Sequence, residues 1–167
     1  GHGLASINGE ELYILPQDSV PTLLRETALS RKDLFDIILA LEPKSVTMFF
    51  DTCYSGVSRD EQTLLADARP LIIQPKDQPN IPKNFTIFSA TELDQISSGL
   101  KEAKHGIFSY YVMKGLEGNA DMNNDRKISN GELLSYLKDH VPLKASELDR
   151  IQTPTLNGDP DKILIRY

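Results

Sequence analysis

The chain has 167 residues, 40% hydrophobic and 25% charged, the size and make-up of one folded domain rather than a disordered or membrane-embedded chain. With 18 basic against 24 acidic residues the net charge is −6, a field that disfavours nucleic acid and draws basic partners. No apolar run approaches the roughly 20 residues needed to span a bilayer, and a single cysteine excludes an internal disulfide and points to a reducing, cytoplasmic setting.

In chain order, "GHGL" opens the sequence without a methionine, and the expectation is that sequence ahead of it is missing. "EELYIL" (10–15) reads as a short strand running into the turn "PQDS". "SRKDLFDIILALEP" predicts a helix capped by Ser30, with Leu34, Ile37, Ile38 and Leu41 on one face and Pro43 as the stop. "SVTMFF" (45–50) has the compact apolar pattern of a strand buried on both faces. Helix followed by buried strand indicates an α/β unit.

Residues 57–84 break the pattern, and "QPKDQPNIPKN" reads as exposed loop. "FTIFSA" (85–90) predicts a second buried strand. "HGIFSYYVMKGLEG" predicts a helix ended by Gly118, and "SNGELLSYLKDHV" a helix opened by a capping box of Ser129 and Glu132. "KILIRY" closes the chain as a strand. Three full strands, at 45–50, 85–89 and 162–167, are few for an open α/β sheet.

The chemistry turns on Cys53, the only cysteine, in "FFDTCYSGVSR". Three readings stand. An inert buried thiol is the common fate of the residue type, although Asp51, Thr52, Tyr54 and Ser55 are polar company for it. A phosphate loop is the second, because Cys53 and Arg59 are separated by five residues and a guanidinium fork can cradle phosphate beside an attacking thiolate. Asp51 would repel that dianion. The third is a thiolate activated by histidine. His140 is placed at a helix end, where a cation suits the dipole, and His105 at a helix start. His2 lies between two glycines, about 50 residues ahead of Cys53.

"GHG", "EELYILPQDS", "FFDTCYSG", "FSATELDQISS" and "HGIFSYYVMKGLEGNADMNNDRKISNGELLSYL" occur in that order. Together they resemble the caspase-like cysteine peptidases of family C14, in particular the bacterial caspase, metacaspase and orthocaspase types. The resemblance covers almost the whole chain. It implies a three-layer α/β/α sandwich on a mostly parallel sheet, of which residues 1–167 would be the C-terminal portion of a single catalytic domain lacking its N-terminal strands. A preceding segment, covalent or separate, would then be a partner of this chain.

For the site, the resemblance implies that His2 is the general base and acid and that the Cys53 thiolate attacks the scissile carbonyl. The backbone N–H groups of Gly3 and Cys53 would form the oxyanion hole. Asp51 resembles the metacaspase carboxylate that pairs with arginine or lysine at P1, and Ser89 the S1 wall. The expected substrate is thus a protein or peptide with a basic P1 residue, and neither nucleic acid nor membrane is an expected partner. A turn cap is the alternative for Asp51. A catalytically idle regulatory module of the same fold is the alternative function, and the cysteine-dependent phosphatase the third.

Two further features stand apart. Asp121, Asn123, Asp125, Ser129 and Glu132 fall at calcium-loop positions 1, 3, 5, 9 and 12, but Arg126 stands where glycine is expected. The cap at Ser129 and Glu132 is the simpler use of the last two, and the dyad chemistry asks for no metal cofactor. The calcium-dependent metacaspases carry clustered aspartates ahead of the catalytic strand, where this chain has "LSRKDL". By the resemblance residues 57–84 would be an intersubunit-type loop, in which Arg59, Arg69, Lys76 and Lys83 would suit self-cleavage by a basic-specific zymogen; an ordinary surface loop is the alternative.

Overall fold

The computed structural model describes residues 2–6, 8–52, 54, 81–92, 99–100 and 105–167. Strand β1 (His2–Ala5) pairs antiparallel with β2 (Leu12–Leu15), His2 opposite Leu15 and Gly3 opposite Ile14. The intervening turn closes on Ser6, whose amide donates to Glu11 O at 2.8 Å and whose Oγ accepts the Glu11 amide at 2.9 Å. Gly9 takes φ 73° there, a left-handed value that costs glycine little. A single 3₁₀ turn (Pro21–Leu23) and the short helix α1 (Leu24–Thr27) lead to β3 (Leu29–Ser30), the outer partner of β2.

Helix α2 (Arg31–Leu39) starts where the sequence predicts, with Ser30 Oγ accepting the Asp33 amide at 2.9 Å. Its inner face differs from the expected one. Ile37 and Leu41 are 59% and 78% exposed. Arg31 and Phe35 are buried and Leu34 and Ile38 pack beside them, a stripe at i, i+3, i+4 and i+7 that begins on an arginine.

The central sheet has the order β4 (Val46–Phe50), β5 (Phe85–Ser89), β9 (Thr155–Asn157). β4 and β5 run parallel from Val46↔Phe85 to Phe50↔Ser89, and β9 runs antiparallel to β5 with Ser89 opposite Thr155. The third strand of this sheet is therefore β9. The C-terminal β10 (Ile163–Arg166) pairs instead with β8 (Lys127–Ser129) as a separate antiparallel ribbon. A small pair, β6 (Gly99–Leu100) and β7 (His105–Gly106), precedes α3.

Period-2 alternation sorts the sheet's side chains into two cores. Phe50, Phe85 and Ile87 face α2 and Phe35. Phe88 and Ala90 face α3 (Ile107–Lys114) and α4 (Asn130–Ser146), where Ile107, Phe108, Leu133, Leu137 and Val141 complete the larger core. Each of these large apolar side chains contributes roughly 1.5–3 kcal/mol by leaving water. Helices lie on both faces, so the described residues form an α/β/α arrangement. β4 is less buried than predicted: Thr47 and Phe49 are exposed, Phe49 stacking on Phe88 at 5.1 Å. α3 and α4 pack over β5, and among the described residues β4 pairs only with β5.

After α3 the helix widens into the turn Gly115–Asn119, and Gly118 ends it at φ 115°. The capping box of α4 is formed: Glu132 N donates to Ser129 Oγ at 3.1 Å and Ser129 N to Glu132 Oε2 at 2.9 Å. α4 continues through Pro142 to Ser146 because Leu133, Leu137, Val141 and Ala145 form one buried stripe. His140 thus lies inside the helix rather than at its end. Its Nδ1 donates to Tyr136 O at 2.8 Å and its ring lies 4.2 Å from that of Tyr136. None of the described helices is long and apolar enough to cross a membrane.

Candidate active site

The ends of two parallel strands meet where the sequence placed Asp51 and Ser89, and His2 stands on a separate hairpin. His2 opens β1 and is exposed, with Gly3 buried behind it. Asp51 and Thr52 follow β4, and Ser89 ends β5. The parallel register sets Phe50 beside Ser89, and the Ala90 amide donates to Phe50 O at 2.8 Å. Asp51 and Ser89 therefore leave neighbouring strands at the same C-terminal edge, the edge at which open α/β sheets build sites. Cys53 lies outside the described residues, as do Arg59, Arg69 and Lys76; Lys83 is exposed.

Tyr54, the chain neighbour of Cys53, links the two halves. It is 5% exposed and shares a cluster with Ala5 of β1 and Leu12 of β2. The hairpin that carries His2 is thus packed on Tyr54. The hairpin is also pinned from within: Tyr13 OH donates to Glu11 Oε2 at 2.7 Å, and burial, reinforced by Glu11, raises the Tyr13 pKa.

The surroundings of Arg31, Gly106 and Ser109 escape sequence reading. Arg31 is 2% exposed, and its guanidinium lies 4.9 Å from the Phe50 ring, 5.5 Å from Phe35 and 5.9 Å from Tyr54. Its Nε and Nη2 have no hydrogen-bond partner, and neither has the buried Thr52 Oγ1. Ser109 Oγ donates to Asp51 Oδ2 at 2.5 Å, and Gly106 abuts the same carboxylate. Ser109 had a signal of sorts, a hydroxyl in the first turn of a predicted helix, but nothing local names its partner.

The acidic loop before α4 is folded on itself. Asp121 Oδ1 accepts the Asp125 amide at 3.2 Å, and Oδ2 accepts the Arg126 amide at 3.0 Å and Tyr167 OH at 2.9 Å. Asn123 Oδ1 accepts the Asp125 amide at 2.8 Å, and Asp125 Oδ1 the Lys127 amide at 2.9 Å. Arg126 takes φ 61° where a glycine was expected. Desolvation pushes the Asp121 carboxyl upward, but the bonds from Tyr167, Arg126 and Asp125 outweigh it and leave its pKa lowered. Among the described residues no group of three or more His, Cys, Asp or Glu side chains is arranged to hold a metal.

The family model described as the caspase domain matches residues 1–164. No curated protein matches the chain.

Proposed function

We propose, for a chain that belongs to the caspase-domain family of peptidases, that it is a cysteine endopeptidase cleaving after arginine or lysine. The observation that carries this reading is the packing of Tyr54 on Ala5 and Leu12. It supports the pairing of His2 with Cys53, because the strand of His2 packs on the residue that follows Cys53 in the chain.

In the proposed mechanism His2 removes the Cys53 thiol proton and the thiolate adds to the scissile carbonyl carbon. The backbone N–H groups of Gly3 and Cys53 hold the resulting oxyanion, each donor contributing about 3 kcal/mol to the transition state. Collapse breaks the C–N bond, and His2 returns its proton to the leaving amine. A water, deprotonated by His2, then cleaves the thioester and restores the thiol. A metal takes no part in these steps. Asp51 receives the P1 cation, best as the two-pronged guanidinium, and Ser89 forms the adjoining wall.

The thiol chemistry suits a reducing, cytoplasmic compartment. Control belongs to the same reading: cleavage within residues 57–84, or a partner, would release activity. A further N-terminal segment of the domain, covalent or separate, would cover β4. The exposed Phe49 and Thr47 support that part.

A peptidyl arginyl chloromethyl ketone tests the proposal directly. Mass mapping should find the adduct on Cys53, and His2→Ala should abolish or greatly slow labelling. Absence of labelling in the full-length, processed protein would instead fit the idle module. A phosphatase would show phosphate release that needs Arg59 and survives loss of His2. Turnover confined to acidic P1 residues would overturn the role of Asp51.

A further inference from the structure

Gly106 is buried where α3 begins and stands at its N-cap with φ −63° and ψ 146°. No side chain of its own caps the helix, and no acidic residue lies in its first turn. A Cβ built on Gly106 would stand 1.9 Å from Asp51 Oδ2 and 2.8 Å from its Cγ. The carboxylate of Asp51 therefore fills the space that a capping side chain would take, in the partial positive field of the helix terminus. One turn in, Ser109 Oγ donates to the same Oδ2 at 2.5 Å. Gly106 leaves the room in which the carboxylate sits, and the Ser109 hydroxyl bonds one of its oxygens.

We infer that Gly106 and Ser109 are positioning residues for Asp51, and that by fixing the plane of its carboxylate they favour arginine over lysine at P1. This rests on the reading of Asp51 as the P1 contact. The discrimination follows from donor geometry. A guanidinium offers its N–H groups in a rigid planar fork and gains from a carboxylate held in one plane. An ammonium is a point charge with rotating donors and tolerates a carboxylate that turns. An arginine substrate thus loses more than a lysine substrate when the carboxylate is released.

The test compares arginyl and lysyl versions of one peptide with full-length wild type, Ser109→Ala, Ser109→Thr, Gly106→Ala and Asp51→Asn. Ser109→Ala should lower kcat/KM for the arginyl peptide by about tenfold and for the lysyl peptide by about threefold or less, the order expected for one hydrogen bond to a charged group. Ser109→Thr should restore the wild-type ratio. Gly106→Ala should shift the ratio as Ser109→Ala does, because the new methyl displaces Oδ2. Crystal structures of the variants read the same point without turnover: the Asp51 carboxylate should be rotated in Ser109→Ala and wild-type-like in Ser109→Thr. An unchanged arginine-to-lysine ratio in Ser109→Ala, or an Asp51 side chain that keeps its place there, overturns the inference. If Asp51→Asn still cleaves after arginine at the wild-type rate, the underlying role of Asp51 fails instead, so the two failures are separable.

Discussion

The guanidinium of Arg31 lies 4.9 Å from the centre of the Phe50 ring, and both side chains are buried. Phe50 precedes Asp51, and Tyr54, also in contact with Arg31, follows Cys53. One cation thus touches both ends of the pentapeptide that holds the candidate chemistry. Stacking on an aromatic face is worth about 0.5–2 kcal/mol, whereas leaving a buried donor without a partner costs about 1–3 kcal/mol. With two nitrogens lacking partners, the charge itself contributes little net stability and the volume contributes more.

Arg31→Met should therefore melt close to wild type, since apolar groups of similar size replace buried ions at little cost. Arg31→Ala should lose about 3 kcal/mol through the cavity it leaves. Thermal unfolding of the two variants checks this. A methionine variant as unstable as the alanine one would show that the cation is required.

Tyr54→Ala removes the ring that joins the His2 hairpin to the Cys53 segment. A loss of about 3–5 kcal/mol is expected from truncating a buried aromatic. If the proposed function holds, peptide turnover should fall further than the unfolded fraction explains, since the proposed His2 and Cys53 pair would lose this anchor. Stability and kcat measured at a temperature where the variant stays folded separate the two effects. Full specific activity there would show that the hairpin is held by other contacts.

At the start of α4, Ser129→Ala should cost about 1 kcal/mol, the usual value of a lost N-cap. Glu132 is engaged with Ser129, and the loop carboxylates with their own amides. Melting curves recorded in millimolar calcium and in chelator should then coincide. A rise of several degrees with calcium would mean that these side chains leave their caps for the ion.

The bond from Tyr167 to Asp121 makes a pH prediction at both ends of the scale. The Asp121 pKa is lowered in the folded chain from its ordinary value of 3.8. Its contribution is complete above that value and is lost as pH falls through the lower, folded one. Tyr167 is raised above 10.0, first by its hydrogen bond to Asp121 and then by desolvation. Its contribution is complete below 10.0 and is lost as pH rises through the folded value. Tyr167→Phe should flatten the alkaline fall in stability and weaken the acid one. Denaturant midpoints across pH that match wild type at both extremes would rule this bond out as a determinant.

Much of the frame was legible because its causes are local. Ser30 and Ser129 cap the helices they were expected to cap, since a hydroxyl beside free amides needs no distant partner. The two parallel strands were legible from their apolar runs, and the caspase-type order of motifs ran along the chain as sequence. The inner face of α2 was not legible, because the stripe starts on Arg31, a residue that pattern reading assigns to solvent. The partner of the C-terminal strand was hidden as well, since alternation within β10 says nothing of whether β8 or β5 receives it.

By itself the sequence determined the helix starts, the family resemblance and the residue types for the chemistry: one thiol, an imidazole between glycines and a carboxylate two residues before the thiol. Each depends on neighbours within a few positions or on motif order. The tertiary structure alone decided that Tyr54 joins the cluster of Ala5 and Leu12, that Arg31 is enclosed by rings, and that Ser109 reaches Asp51 from 58 residues away. Such contacts are chosen by how the sheet and helices pack, and packing depends on shapes that meet only in the folded chain.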